Sequence, residues 1–351
     1  MRIALTVGRF DLSGGIERVT VQLARGYQAL GHDVTVFATG WDADDRFTFR
    51  HVTAPERPAW LRTLQLPGAT TRALARDNFD FVHGQGTSTW HCDLLTFHSV
   101  HAAWLAHSVG ESGTWSPTGI AKRLYPFHRA AIAVEHRQVR THRGKFHGCS
   151  PEVACEIIRH YDADPARVFA EPWGIDFEEF RPDAVARARM RSTWEVDDGT
   201  RVVLLVANEF HRKGLGPLLE ALALLDRRDL VLAVAGRADT APYRALAERL
   251  GVAARVRFLG HQSPAPCYQA ADLFALPSTY EGWGLVVGEA LASGLPVVAS
   301  RFPGSIAMIE PDRNGYLLDD PRDPKALAGA IERTLNPNTH MRLASFARNS
   351  V

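Results

Sequence analysis

The sequence predicts an α/β protein built from two doubly wound domains. Three observations carry this. Short apolar runs alternate with helical segments along the chain, the alternation restarts near residue 200, and a punctuated stretch separates the two series. In the first series, residues 2–7, 33–38, 47–53, 79–83 and 94–98 read as strands, and residues 15–30 read as a helix. In the second, residues 201–207, 230–235, 256–259, 273–276 and 296–299 read as strands, with a helix over residues 214–226. Apolar, often β-branched runs bounded by turn residues suit parallel strands buried on both faces. The stretch from Glu171 to Thr200 holds Pro172, Gly174, Pro182 and Asp197-Asp198-Gly199, and is punctuated as a linker is. The domains are therefore expected at residues 1–172 and 173–351. Ligands of open α/β sheets bind beyond the carboxyl ends of the strands. Two such sheets facing each other across a cleft would place the site between them.

Composition narrows the function classes. The 351 residues suffice for two domains with cores of their own, and 46% hydrophobic with 23% charged residues is ordinary for a soluble protein. A net charge of +1 gives no reason to expect a nucleic-acid partner. The four cysteines, Cys92, Cys149, Cys155 and Cys267, form no C-x-x-C pair, so neither a zinc site nor a disulfide framework is expected, and a reducing cytosol fits. The apolar run at the N-terminus is too short for a signal peptide, and no stretch approaches a transmembrane helix. The expected location is cytoplasmic, at most peripheral on the inner face of a membrane.

The most informative stretch runs from Pro277 to Ser300, PSTYEGWGLVVGEALASGLPVVAS. A strand is expected to end near Leu276, a glycine-rich loop to follow, and a helix to begin near Trp283 or Gly284. Gly282 and Gly284 have no Cβ, so their backbone can approach a ligand closely. The free N–H groups and partial positive charge of a helix start suit a diphosphate. Glu281 precedes that helix and Glu289 lies eight residues on. Side chains lean toward the helix start, so the two acids can flank one molecule, Glu281 near a sugar and Glu289 on ribose hydroxyls. Carboxylates suit hydroxyl donors because each oxygen accepts hydrogen bonds.

A second strand-to-helix junction reads Val206-Ala207-Asn208-Glu209-Phe210-His211-Arg212-Lys213-Gly214. Cations before a helix oppose its dipole. Arg212 and Lys213 are thus either surface charges or groups that neutralise a diphosphate leaving group. Two D-x-D matches, Asp42-Ala43-Asp44 and Asp162-Ala163-Asp164, follow no convincing buried strand and read as solvated loops. No metal or other cofactor is expected.

In the first half, the loop from Gly8 to Gly15 does not match G-x-G-x-x-G, which disfavours a nicotinamide cofactor. Its Gly14-Gly15 pair either makes a tight turn or lets a ligand approach the backbone. His98 ends an apolar strand, so it is either a satisfied structural histidine or faces a substrate. His98 and His101 lack the further ligands a metal site needs. Residues 118–145 read as one long, basic, partly amphipathic segment, with Lys122, Arg123, Arg129, Arg137, Arg140, Arg143 and Lys145 against Glu135. It is either a solvated face or, with Trp104, Trp115, Leu124, Tyr125 and Phe127, a surface for an anionic membrane or a phosphorylated glycolipid.

These motifs together resemble glycosyltransferase family 4, a retaining family of the GT-B form with two Rossmann-like domains. The carrying residues are the E-x7-E element from Glu281 to Glu289, the Arg212-Lys213-Gly214 loop, Gly14-Gly15-Ile16-Glu17-Arg18, and Gly174-Ile175-Asp176 before Phe180-Arg181-Pro182. The pattern looks closest to lipopolysaccharide-core α-glucosyltransferases, strongly over residues 202–318 and fairly over the first forty. The resemblance implies a UDP-sugar donor, a glycan or glycolipid acceptor, no metal ion, and α-retention by front-face attack in which the leaving phosphate helps take the acceptor proton. It implies that Arg212 and Lys213 bind the diphosphate and that Glu289 binds ribose. Glu281 with the Leu285 and Val286 amides would hold the sugar, which His98 would face. Gly15, Gly236, Arg237 and Gly284 would line the donor.

The sequence departs from the family pattern in three places. Trp283 replaces the usual Phe of the E-G-F-G loop, and Trp173 replaces a common Asn. The chain stops at Val351, where the family usually adds a helix crossing back onto the first domain, so weaker domain closure is expected. A sugar-nucleotide epimerase of the same form, or an inactive nucleotide-sugar binder, remain the alternatives.

Overall fold

The expected first strand forms over Arg2–Thr6 (β1), with four of its five residues buried. The computed structural model that contains it describes residues 1–42 and 44–350. It comprises two units, Met1–Trp173 and Gly174–Val351. Trp173 thus sides with the first unit rather than opening the second, because its indole packs on His98 and His147.

In the first unit, β1 is joined by β2 (Asp33–Ala38), β3 (Thr48–His51), β4 (Phe81–Gln85), β5 (Leu94–Phe97), β6 (Lys145–Gly148) and β7 (Val168–Ala170). Among the described residues these form one parallel sheet in the order β3-β2-β1-β4-β5-β6-β7. Successive strand residues point to opposite faces, and β1 shows the consequence. Leu5 packs with Val21 and Ala24 of the helix Gly15–Ala29. Its neighbour Ala4 packs with Leu66 and Leu74 of the helix Ala59–Leu74. Helices on both faces make the sheet doubly wound.

The second unit repeats the plan with β8 (Arg201–Val206), β9 (Leu230–Ala235), β10 (Val256–Gly260), β11 (Leu273–Leu276), β12 (Val297–Ser300) and β13 (Gly315–Leu318). Among the described residues they too are parallel, in the order β10-β9-β8-β11-β12-β13. The order reverses between β1 and β4 in one sheet and between β8 and β11 in the other. Crevices of this kind, at the carboxyl ends of the strands, are where such sheets take ligands.

Three expectations need correction. The basic stretch 118–145 is not one segment. Pro126 cannot continue a helix, so it splits into helices Pro117–Leu124 and Pro126–Thr141, and Lys145 opens β6. The fourth strand runs to Gln85, two residues past its expected end. Strands β6, β7 and β13 were not anticipated; they are three or four residues long, and β6 carries His147 in its middle.

At the amino end of β11, Asp272 gathers three arginines: Arg187 at 2.8 Å, Arg191 at 3.3 Å and Arg201 at 3.5 Å. It also accepts the Val202 N–H at 2.8 Å. Arg191 is 2% exposed and donates further to the carbonyls of Ala270, Asp197 and Thr200. This cluster ties the helix Ala184–Thr193 to the sheet.

Candidate active site

The loops after β8 and β11 meet at the point where the second sheet reverses. Gly214 makes the meeting close. Its φ is +78°, and a Cβ there would lie 2.1 Å from the Pro277 carbonyl oxygen. The Arg212 carbonyl accepts the Thr279 N–H at 2.9 Å, and the Ser278 hydroxyl lies 3.1 Å from it. This junction puts Arg212 and Lys213 beside Glu281. Glu281 Oε1 lies 2.5 Å from Lys213 Nζ and 3.0 Å from Arg212 Nη1, and accepts the Ser278 hydroxyl at 2.7 Å. Arg212 also donates to the Tyr280 carbonyl and pairs with Glu209 at 3.1 Å.

The side chains are 21%, 12% and 8% exposed for Arg212, Lys213 and Glu281, so the charges interact in a weakly screened setting. Burial works to raise the Glu281 carboxyl, but Lys213 and Arg212 outweigh it and hold it below the ordinary value. For Lys213, burial prevails over the pull of Glu281 and lowers the ammonium. For Arg212, burial is outweighed by Glu281 and Glu209, and the guanidinium is raised.

The cluster is not saturated. Among the described residues Lys213 Nζ has Glu281 alone as a partner, and Glu281 Oε2 accepts no hydrogen bond. The helix Leu285–Ala292 starts four residues after Glu281, with Gly284 before it at φ +81°. A side chain at Gly284 would strike the Phe302 ring at 2.5 Å. The Leu285 and Val286 amides, in the first turn, donate to no backbone carbonyl among the described residues. Unpaired helix-start amides beside two cations form a surface for an anion.

The other expected donor residues are placed as follows. Glu289 lies on the same helix, 3% exposed, and accepts the Tyr268 hydroxyl at 2.9 Å. Gly236 follows β9, and the Arg237 N–H donates to Asn208 Oδ1 at 3.2 Å. Gly15 opens the first helix with nothing within 4 Å of where a Cβ would sit, so packing does not demand glycine there. His98 follows β5 in the first unit; its Nε2 is 2.9 Å from Gln85 Oε1, and its ring stacks on Trp173 at 5.4 Å and 19°. Burial, reinforced by His147, lowers His98 to about 3, so it is neutral at neutral pH. Tyr268, Ser278, Glu209, Asn208 and Gln85 were not anticipated. Asn208, Glu209 and Ser278 lie within the two junction stretches but act through contacts between loops, and Tyr268 and Gln85 are single polar residues outside any motif.

Asp162 and Asp164 serve local structure. Asp162 ends the helix Pro151–Tyr161 in the left-handed region, and Asp164 accepts the Ala166 N–H at 3.0 Å. The middle residue of the other D-x-D match, Ala43, lies outside the described residues. Among the described residues no group of three or more His, Cys, Asp or Glu is arranged to hold a metal ion. No helix of the described residues is long and apolar enough to cross a membrane.

Comparison with known proteins decides the family. The model of Glycosyltransferase Family 4 matches residues 13–179, and that of Glycosyl transferases group 1 matches residues 186–350. D-inositol 3-phosphate glycosyltransferase 2 of Catenulispora acidiphila is 32% identical over 377 aligned positions, covering 97% of this chain and 85% of that protein. The chain belongs to glycosyltransferase family 4. A second relative, D-inositol 3-phosphate glycosyltransferase of Corynebacterium glutamicum, is 36% identical over 55% of this chain but only 49% of its own length. This chain thus matches about half the length of that relative. Among solved structures, WaaG, a glycosyltransferase involved in lipopolysaccharide biosynthesis, is similar with a TM-score of 0.84 and 24% identity, covering 99% of this chain and 94% of its own. Anabaena HepE in complex with UDP-glucose is similar with a TM-score of 0.76 and 19% identity, covering 99% and 94%. These two likenesses establish the GT-B fold.

Proposed function

We propose that this chain is a metal-independent, retaining glycosyltransferase that moves a hexose from a nucleotide diphosphate sugar, UDP-glucose or a close analogue, to a hydroxyl of a glycan, glycolipid or phosphorylated polyol. The observation that carries this reading is the Arg212–Lys213–Glu281 cluster beside the free amides of Leu285 and Val286. A pyrophosphate placed there meets two cations and a helix start. As the bond from sugar C1 to the phosphate oxygen breaks, its electron pair goes to the phosphate and the cations stabilise it. The acceptor oxygen bonds to C1 on the same face, and its proton passes to the departing phosphate. Glu281 Oε2 is free to accept from a sugar hydroxyl and Glu289 takes the ribose, and the family resemblance assigns His98 to the sugar. Gly236, Arg237 and Gly284 line the donor, and the resemblance assigns Gly15 to it as well.

The HepE complex supports UDP-glucose as donor. The names of the curated relatives support an acceptor that carries a phosphate. The Arg62 guanidinium, half-buried near Gly8 with no hydrogen bond or ion pair among the described residues, would suit such a group. The WaaG likeness supports a cell-envelope glycan instead.

The reading places the protein in the cytoplasm with a peripheral contact on anionic membrane. Trp115 (82% exposed), Leu124, Tyr125 and Ile120 stand out beside Arg123 and Arg129. Co-sedimentation with anionic vesicles should weaken as salt rises, and binding indifferent to salt and lipid charge would remove this part.

The test is a screen of UDP-, GDP- and ADP-sugars against inositol phosphate and glycan acceptors, with and without chelator. Transfer from a UDP-sugar, unaffected by chelator, is expected. Conversion of the donor without any acceptor would indicate an epimerase instead.

A further inference from the structure

A run of buried polar side chains crosses the carboxyl half of the first sheet. Tyr27 Oη lies 2.9 Å from His83 Nδ1, and His83 Nε2 lies 2.8 Å from Thr96 Oγ1. Thr96 Oγ1 lies 3.1 Å from His147 Nδ1, and His147 Nε2 lies 2.7 Å from the Glu171 carbonyl oxygen. The Gln85 amide branches from this run, one end 3.0 Å from His83 Nε2 and the other 2.9 Å from His98 Nε2. His83, Gln85, Thr96 and His147 are each at most 5% exposed. Burial lowers all three histidines, His83 and His98 to about 3, so neutral rings are the relevant state near neutrality.

Neutral rings leave little freedom in where the protons sit. A peptide carbonyl can only accept, so His147 carries its proton on Nε2 and its Nδ1 must accept. The hydrogen it accepts is the one on the Thr96 hydroxyl. Thr96 therefore accepts from His83, whose proton is on Nε2, and the Tyr27 hydroxyl donates to His83 Nδ1.

Two orientations of the Gln85 amide fit the same space, and proton count decides between them. With nitrogen toward His83 and oxygen toward His98, His83 Nε2 must be bare and Thr96 must donate to it. His147 would then need a proton on both nitrogens, a buried imidazolium. With oxygen toward His83 and nitrogen toward His98, the one His83 Nε2 hydrogen is shared between Thr96 Oγ1 and the Gln85 oxygen, and all three rings stay neutral. His98 Nε2 then accepts, and the ring's proton resides on Nδ1. That nitrogen has no partner among the described residues, and His98 is only half-buried.

We propose that Gln85, oriented through His83, Thr96 and His147 by the Glu171 carbonyl, fixes His98 as its Nδ1–H tautomer, so that His98 meets substrate as a hydrogen-bond donor. Gln85 and His83 are positioning residues, and Trp173 stacked on His98 sets the plane of the ring. The proposal rests on the reading that His98 faces the sugar.

The test is long-range proton–nitrogen NMR of the ¹⁵N-histidine-labelled full chain at neutral pH, with His98 assigned by loss of its signals in His98→Gln. The expected result is a protonated Nδ1 and bare Nε2 at His98, with the reverse at His83 and His147. Gln85→Glu, whose carboxylate only accepts, should move the His98 proton to Nε2 and cut transfer at least tenfold, while Gln85→Asn, if it reaches, restores the native signature. An Nε2 proton on His98 in the native protein overturns the proposal whatever the activity. An unshifted tautomer in folded Gln85→Glu overturns the role of Gln85. Absence of transfer with the Nδ1 proton in place overturns the functional reading and leaves the tautomer standing.

Discussion

Strand β11 has an ion cluster at each end, and the two differ in one respect that separates structure from site. At its amino end, Asp272 is 4% exposed, and Arg187 and Arg191 give further donors to backbone carbonyls. At its carboxyl end, Glu281 is 8% exposed, but Lys213 holds it with a single contact and one carboxylate oxygen is left open. Both clusters join cations to one buried acid. At Asp272 both carboxylate oxygens are taken, which leaves no acceptor for a ligand. The Glu281 cluster, beside helix-start amides, retains free donors and an acceptor for one.

Substitution should separate the two ends. Lys213→Ala should lower turnover by roughly 100- to 1,000-fold, the cost of losing one charged contact to a developing anion, with the unfolding midpoint little changed. Asp272→Ala should do the opposite, costing about 3–5 kcal/mol of stability because Arg191 is left buried and uncompensated. Parallel kinetic and denaturant measurements check both, and a large stability loss in Lys213→Ala would erase the distinction.

Glu281→Gln sharpens the contrast by removing the acid but keeping the cations. It should cost roughly 3 kcal/mol without ligand, and added UDP should recover more stability than in the native chain, since the cations no longer have a competing acid. The pH dependence has a definite sign. The folded Glu281 carboxyl titrates below its ordinary 4.5, so its contribution is complete above that value and is lost as pH falls through the lower folded value. The stability gap between native chain and variant should be constant near neutrality and close below pH 4.5. A gap that widens on acidification would refute the assigned charge state.

Tyr268→Phe is the mildest test. It removes a hydroxyl from Glu289 and should cost roughly 1.5 kcal/mol, read in unfolding and in UDP affinity. An effect on unfolding with none on affinity would make Glu289 a structural acid rather than a ribose ligand.

How much was legible in the sequence follows from how locally each feature is encoded. The doubly wound plan was readable because long apolar runs such as 201–206 and 230–235 are strands by themselves. The Glu281 cluster was readable because its parts lie in two short loops, each between a strand and a helix. Even so, the direct pairing of Glu281 with Arg212 and Lys213 was not anticipated, since contact between loops depends on the Gly214–Pro277 approach. The Asp272 cluster was invisible because Arg187, Arg191 and Arg201 come from separate turns and elements. The surroundings of His98 were invisible for the same reason: Tyr27, Gln85, His147 and Trp173 converge only through the sheet order. Strands β6, β7 and β13 are too short for an apolar run and exist by pairing with their neighbours.

The central claim is that Arg212, Lys213 and the first amides of the helix at Leu285 hold a pyrophosphate without a divalent ion. Calorimetric titration of UDP into the native chain and into Lys213→Ala, each with magnesium and with chelator, tests it most directly. The account predicts one affinity under both conditions for the native chain and a drop of at least tenfold in the variant. Binding that requires magnesium, or that survives the loss of Lys213 unchanged, would contradict it.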